Sequence, residues 1–199
     1  MDIALLSPDL EERALLVAQM WREDTQTWAL PGAFLRKGET LADAVQRCLR
    51  DKLGVEGIRQ RQLAVLDDPD RDDRDWVLSV AHVAAVRPER LQSLGSGSAT
   101  RVRLVPVDRP GELAWDHAQI VRLARKDIRG RYLEAADPDH LLGREFTMRE
   151  LLETHEAVAG HTIDRDVFRR SMDERFERTG KRQDAGGRGR PAELLRRKR

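Results

Sequence analysis

Short apolar runs separated by polar segments occupy much of the first part of the chain, with helical spacing at Leu41–Leu53 and again toward its end. Met1 to Leu6 reads as a strand, expected to be shortened at its start. A turn at Ser7-Pro8-Asp9 separates it from a second strand, Ala14 to Ala18. Trp28-Ala29-Leu30 is a third short strand. Leu41, Ala44, Val45, Leu49 and Leu53 then recur at helical spacing, behind a capping Thr40 and a first-turn Asp43, with Gly54 as a stop. Leu63 to Leu66 returns as a strand, followed by a polar loop from Asp67 to Asp75. Trp76 to Val86 is the longest strand expected and is assigned a central place. Leu94 to Ala99 reads as a flexible loop, Val102 to Val107 as a strand. Trp115-Asp116-His117 opens a helix through Ile120, Leu123 and Ala124. Mixed strands around two helices predict an α/β sandwich.

A second block follows. Residues Tyr132 to Arg144 read as a connector, in which Leu133, Leu141 and Leu142 could dock on a neighbour. Thr147, with Glu150 three positions later, forms a capping box before a helix reaching Val158. Asp164 caps a second helix from Arg165 to about Phe176. Val167, Phe168 and Met172 are placed inward, Arg165, Arg169 and Arg170 outward. Two short strands would then flank the loop Gly186 to Pro191, and Arg196 to Arg199 reads as a frayed end. Helix, turn, helix and a Gly-Arg hairpin predict a winged helix-turn-helix, with a plain helical hairpin as the alternative.

Charge sharpens this division. Charged residues make up 36% of the chain and apolar ones 40%, enough for a modest core under a wet surface. Net charge is +1, but residues 175–199 hold ten Lys or Arg against three acids, +7, which leaves −6 for residues 1–174. A basic end on an acidic body suits a polyanionic partner, or else a solubilising tail. No apolar run reaches membrane length and no secretory signal is evident, so a cytoplasmic protein is expected. The single cysteine, Cys48, excludes an intramolecular disulfide.

The segment Gly32 to Val55 carries the chemistry. Glu39, then seven residues, then Arg47, Leu49, Gly54 and Val55 resembles a Nudix box, preceded by Trp28-Ala29-Leu30-Pro31-Gly32. Where the Nudix pattern places three glutamates, this chain has Cys48, Asp51 and Lys52, and Ala33 stands at its first glycine. One carboxylate, one thiol and one ammonium are a poor set for Mg²⁺, which wants hard oxygen ligands in near-octahedral array.

With Phe146-Thr147-x-x-Glu150-Leu151, Phe168-Arg169-Arg170 and Gly189-Arg190-Pro191-Ala192, the chain resembles the Nudix-related transcriptional regulators, repressors of NAD-metabolism genes. That resemblance implies an α/β/α Nudix-like sandwich with a mixed sheet over residues 1–130. A linker at 131–144 and a C-terminal winged helix-turn-helix over 145–199 follow. It implies a homodimer on a palindromic DNA operator, no cofactor, and ADP-ribose or a related nucleotide as effector. His82 departs from the family, where an aromatic residue is common.

Arg36, Lys37 and Lys52 are candidates for the effector's diphosphate. Trp28 is a candidate for stacking on its base, or else a core or interface side chain; His117 is a ligand contact or a structural residue at a helix start. Arg165, Arg169, Arg170, Lys181, Arg182, Arg188 and Arg190 are candidates for DNA contact, arginine suiting bidentate recognition. No catalytic or metal-binding residue is assigned. The rival reading is an active Nudix pyrophosphatase, with Glu39 and Asp51 holding magnesium; a third is a nucleotide-sensing module that contacts protein rather than DNA.

Overall fold

The chain was analysed as a computed structural model, which describes residues 1–72, 75–91, 101–183 and 191–198. The expected loop at Leu94–Ala99, and Arg188 and Arg190, lie outside the described residues. The first strand, β1 (Asp2–Asp9), runs antiparallel to β2 (Ala14–Arg22) and parallel to a later strand, so the sheet is mixed. Ser7, Pro8 and Asp9 pair with Leu16, Leu15 and Ala14, so the expected turn there belongs to the strand. The chain reverses after Asp9, where Arg13 takes a left-handed φ of 49°.

β3 (Thr27–Ala29) and β1 share one edge of β2 in succession, and β6 (Val102–Pro106) takes the other. Between them come helix α1 (Leu41–Leu53) and strands β4 (Gln60–Leu66) and β5 (Ser79–Ala85). The strand order is β3-β2-β1-β5-β4, so β1 rather than β5 is the middle strand. Ile3, Ala4, Leu5 and Leu6 are all fully buried, as a strand covered on both faces requires. Trp76 and Leu78 are exposed and precede β5 instead of joining it.

Two helices cover the two faces. α1 packs Val45, Cys48, Leu49 and Leu53 on Ile3, Leu5 and Ala84. Its start is closed by a reciprocal capping box between Thr40 and Asp43, its end by Gly54 at φ 68°. α2 (His117–Glu134) packs Ile120, Val121, Ala124 and Ile128 on Ala4, Leu6 and Val83. It is longer than its predicted extent: its last turns bury Tyr132, so it passes through the 130/131 position where a linker was expected to begin.

The C-terminal unit has its own core of Leu142, Phe146, Leu151, Phe168, Met172, Phe176 and Leu195. β7 (Phe146–Thr147) leads into α3 (Met148–Ala159), whose Thr147–Glu150 capping box forms as predicted. α4 (Arg165–Met172) starts at Asp164, whose carboxylate accepts from the backbone N–H groups of Asp166 and Val167. Phe168 and Met172 point inward; Val167, expected beside them, is exposed because it falls on the other side of this short helix. β8 (Phe176–Gln183) and β9 (Ala192–Arg197) form the hairpin, in sheet order β7-β9-β8. Phe176 thus begins a strand rather than ending a helix. Arg196 and Arg197 are paired in β9, not frayed.

The two units share buried surface. Val158 of α3 and Leu141 of the connector belong to the same cluster as the α2 face. Glu156 pairs with Arg13 at 3.3 Å and accepts from the Ile163 N–H at 3.0 Å. His155 sits between Tyr132 and Phe168, with Nε2 2.6 Å from the Ala136 carbonyl. Asp137, buried, accepts from the Tyr132 hydroxyl at 3.0 Å, from the Leu141 and Leu142 N–H groups, and from Arg197 of β9.

Candidate effector cleft and nucleic-acid interface

The start of α2 is held by a charged cluster. Arg71 is buried in the Asp-rich loop and donates two hydrogen bonds to Asp116, at 2.9 and 2.8 Å. Asp2 accepts from the Ser79 hydroxyl at 2.5 Å and lies 3.5 Å from His117 Nε2. His117 Nδ1 accepts from the Leu30 N–H at 2.8 Å, which directs a proton on Nε2 toward Asp2. Burial opposes ionisation of Asp2, but the His117 ring and the Ser79 hydroxyl outweigh it and hold the carboxyl well below its usual range. Gly32 is required beside this cluster: a Cβ there would stand 2.1 Å from Asp2 Oδ1.

Two cavities open on this cluster and meet at Trp115. One, of about 700 Å³, is lined by Thr25, Thr27, Asp67, Arg71, Asp116 and Gln119 among others. The second, of about 210 Å³, is lined by Arg22, Phe34, Lys52, Leu78 and His117 among others. Trp115 takes a left-handed φ of 54°, and its ring meets His117 edge-on at 5.1 Å with the Arg22 guanidinium 5.6 Å away. An aromatic face beside a guanidinium, here also held by Asp24 at 3.0 and 2.5 Å, suits a base next to a phosphate.

Of the residues predicted for the effector, Lys52 and His117 line this cleft. Lys52 donates to the Gly32 carbonyl at 2.5 Å. Arg36 and Lys37 lie on an exposed turn, outside its lining. Trp28 lies between Trp21, edge-on at 5.4 Å, and the Arg103 guanidinium at 4.0 Å, also outside the lining. Sequence reasoning missed Trp115, Arg22 and Arg71. The adjacency of Trp115 and Asp116 was the available signal, but only tertiary packing brings Arg71 and Arg22 to it.

The Nudix box does not form a magnesium cage. Glu39 is held by Arg47 at 2.6 and 2.8 Å. That contact outweighs desolvation and, with the Arg36 N–H, lowers the Glu39 carboxyl to about 2. Cys48 is buried, and burial pushes its thiol up to about 11 despite Lys52 nearby. Asp51 turns to Arg50 at 3.0 Å on the surface. Among the described residues no three His, Cys, Asp or Glu side chains converge on one point. An ion-paired carboxylate, a buried thiol and a hydrogen-bonded ammonium do not fit a divalent cation.

The C-terminal surface divides its cations into two groups. Arg165, Arg169 and Arg170 on α4 are exposed and make no side-chain hydrogen bond or ion pair among the described residues. Arg182 is likewise exposed. Lys181, in contrast, pairs with Glu145 at 2.9 Å. Arg178 pairs with Glu193 at 2.7 Å and Arg196 with Glu177 at 2.8 Å.

Comparison with known proteins matches residues 2–124 to the NUDIX domain, more than half of the chain. The chain belongs to the Nudix family. Its residues 138–196 match the NrtR DNA-binding winged helix domain, so this Nudix protein also carries an NrtR winged helix. A curated relative is the ADPR responsive transcriptional repressor NtrR of Acinetobacter baylyi. It is 29% identical over 98% of this chain and 80% of the relative. Among solved structures, Shewanella oneidensis NrtR complexed with a 27mer DNA superposes with a TM-score of 0.81. That match has 27% identity over 100% of this chain and 93% of the other. The NUDIX domain of the same protein complexed with ADP ribose matches 63% of this chain and 84% of its own, at 26% identity and TM-score 0.54. No helix among the described residues is long and apolar enough to cross a membrane.

Proposed function

We propose that this Nudix protein is a DNA-binding transcriptional repressor of NAD-metabolism genes whose Nudix domain senses ADP-ribose or a related nucleotide without hydrolysing it. One observation carries the reading: α4 presents Arg165, Arg169 and Arg170 without partners among the described residues, on a helix anchored by Phe168 and Met172. A guanidinium with no internal acceptor is available to phosphates and base edges. The DNA-bound state of the Shewanella NrtR and the name of the Acinetobacter repressor support the same assignment.

The effector cleft is the pair of cavities meeting at Trp115. Trp115 stacks on the base; Lys52 meets the diphosphate, and Arg22 joins it by exchanging its pairing with Asp24 for the ligand's oxygens. Asp2, His117, Arg71 and Asp116 hold Trp115 and the start of α2 in place. Two copies of the chain read a palindromic operator, one α4 per half-site. ADP-ribose lowers DNA affinity by favouring a geometry that misplaces the two α4 helices, which requires unequal affinity for the two states.

The test is selection of bound fragments from genomic DNA by the full chain, with and without ADP-ribose. A palindromic site released by the ligand is the expected outcome. Failure to retain any duplex at low salt would defeat the DNA-binding reading. Turnover of ADP-ribose with Mg²⁺ at ordinary enzyme rates would defeat the sensor reading and favour the pyrophosphatase.

A further inference from the structure

A cavity of about 240 Å³ lies away from the cleft at Trp115, on the seam between the two domains. Arg59, Arg87 and Arg90 line its Nudix side; Asp139 and His140 close it from the connector, at the start of the winged-helix match. The site is cationic by construction. Arg59 and Arg87 are exposed and have no side-chain partner among the described residues, while Arg90 is tethered to the Glu56 carbonyl. The one acid in the wall, Asp139, is already engaged by Arg61 and lies 3.6 Å from Arg131, so it does not neutralise the other side. His140 holds a left-handed φ of 55°, secured by its N–H to the Asp137 carbonyl at 3.3 Å. Burial, with Arg197 and Arg59 nearby, holds its ring below the usual value.

Three guanidiniums around one small concavity leave an uncompensated positive field, and arginine's planar fork matches phosphate oxygens. We propose that this seam cavity is a phosphate-binding site that takes the phosphate or diphosphate group of a small soluble ligand. Its volume suits such a group, whereas a duplex backbone would cross the opening rather than fill it. Because the two walls belong to different domains, an occupied site braces the winged helix against the sheet. The assignment does not rest on the proposed function.

The test follows the His140 ring resonances of the full chain while inorganic phosphate or pyrophosphate is added at fixed ionic strength. Saturable shifts are expected, with the ring's titration midpoint moving up as the anion binds. R59A/R87A should weaken the response about a hundredfold, each lost charge-assisted contact costing about tenfold or more. The double variant's thermal midpoint in chloride should stay unchanged, because neither side chain has a partner among the described residues. No saturable shift, or an undiminished response in the double variant, overturns the proposal. A response to duplex DNA but to neither anion also overturns it, and assigns the arginines to the nucleic-acid backbone.

Discussion

The cations of α4 and most of the described cations of the hairpin that follows it are alike in type and opposite in duty, Arg182 siding with α4. Among the described residues Arg165, Arg169 and Arg170 have no acceptor, whereas Arg178, Lys181, Arg196 and Arg197 each have at least one. A paired guanidinium holds the fold together, and an unpaired one waits for an anion from outside. Net charge alone cannot separate the two. The +7 of residues 175–199 marked a polyanion-binding end, yet much of that charge is occupied within the chain.

The comparison breaks most sharply at Arg197. Arg197→Ala would strand the buried Asp137 without its cation and should cost about 3 to 5 kcal/mol in chemical denaturation. Arg169→Ala or Arg170→Ala should leave stability within about 0.5 kcal/mol. Each should weaken operator binding by about 1 to 3 kcal/mol if it reads a base, or flatten the salt dependence by about one unit if it holds a phosphate. Gel shifts at several salt concentrations distinguish the two. Lys181→Ala lies between these cases: loss of its exposed pair with Glu145 should cost under about 1 kcal/mol. A full loss of DNA binding there would move Lys181 into the first group.

The smallest effect concerns pH. Burial lowers the folded-state values of His155, His82 and His140 below 6.5. The unfolded chain therefore takes up protons first on acidification, so stability falls as pH drops below about 6.5 and levels off beneath the folded values. His155, packed between Tyr132 and Phe168, should contribute most. A His155→Gln variant whose unfolding free energy kept the same slope between neutral and mildly acid pH would contradict that assignment.

Local signals were read well from the sequence. Thr40 as a cap and Thr147 with Glu150 as a capping box are short-range patterns, and both form; Asp43, read only as a first-turn acid, closes a box with Thr40 as well. The box was legible for the same reason, because its spacing and its missing carboxylates lie on one helix. Long-range features were not. Arg71 reaches Asp116 across 45 positions and Arg197 reaches Asp137 across 60, and nothing local marks either. Trp76 to Leu78 is apolar enough to read as strand, yet no neighbouring strand accepts it. Tyr132 reads as the start of a connector because Asp137-Pro138-Asp139 follows it; the helix nevertheless reaches Glu134, where Asp137 and His155 give Tyr132 something to pack against.

That unbroken helix has a mechanical consequence. Its 18 residues make a rod about 27 Å long, with Trp115 immediately before one end and the Tyr132–His155 contact at the other. A rod pivoting about its middle delivers motion without needing a chain of side-chain rearrangements. By the same geometry, a tilt of roughly five degrees at the Trp115 end carries the far end through about 2 Å relative to its start. On such a lever, the nucleotide proposed to seat beside Trp115 would shift the DNA-reading helix at the other tip.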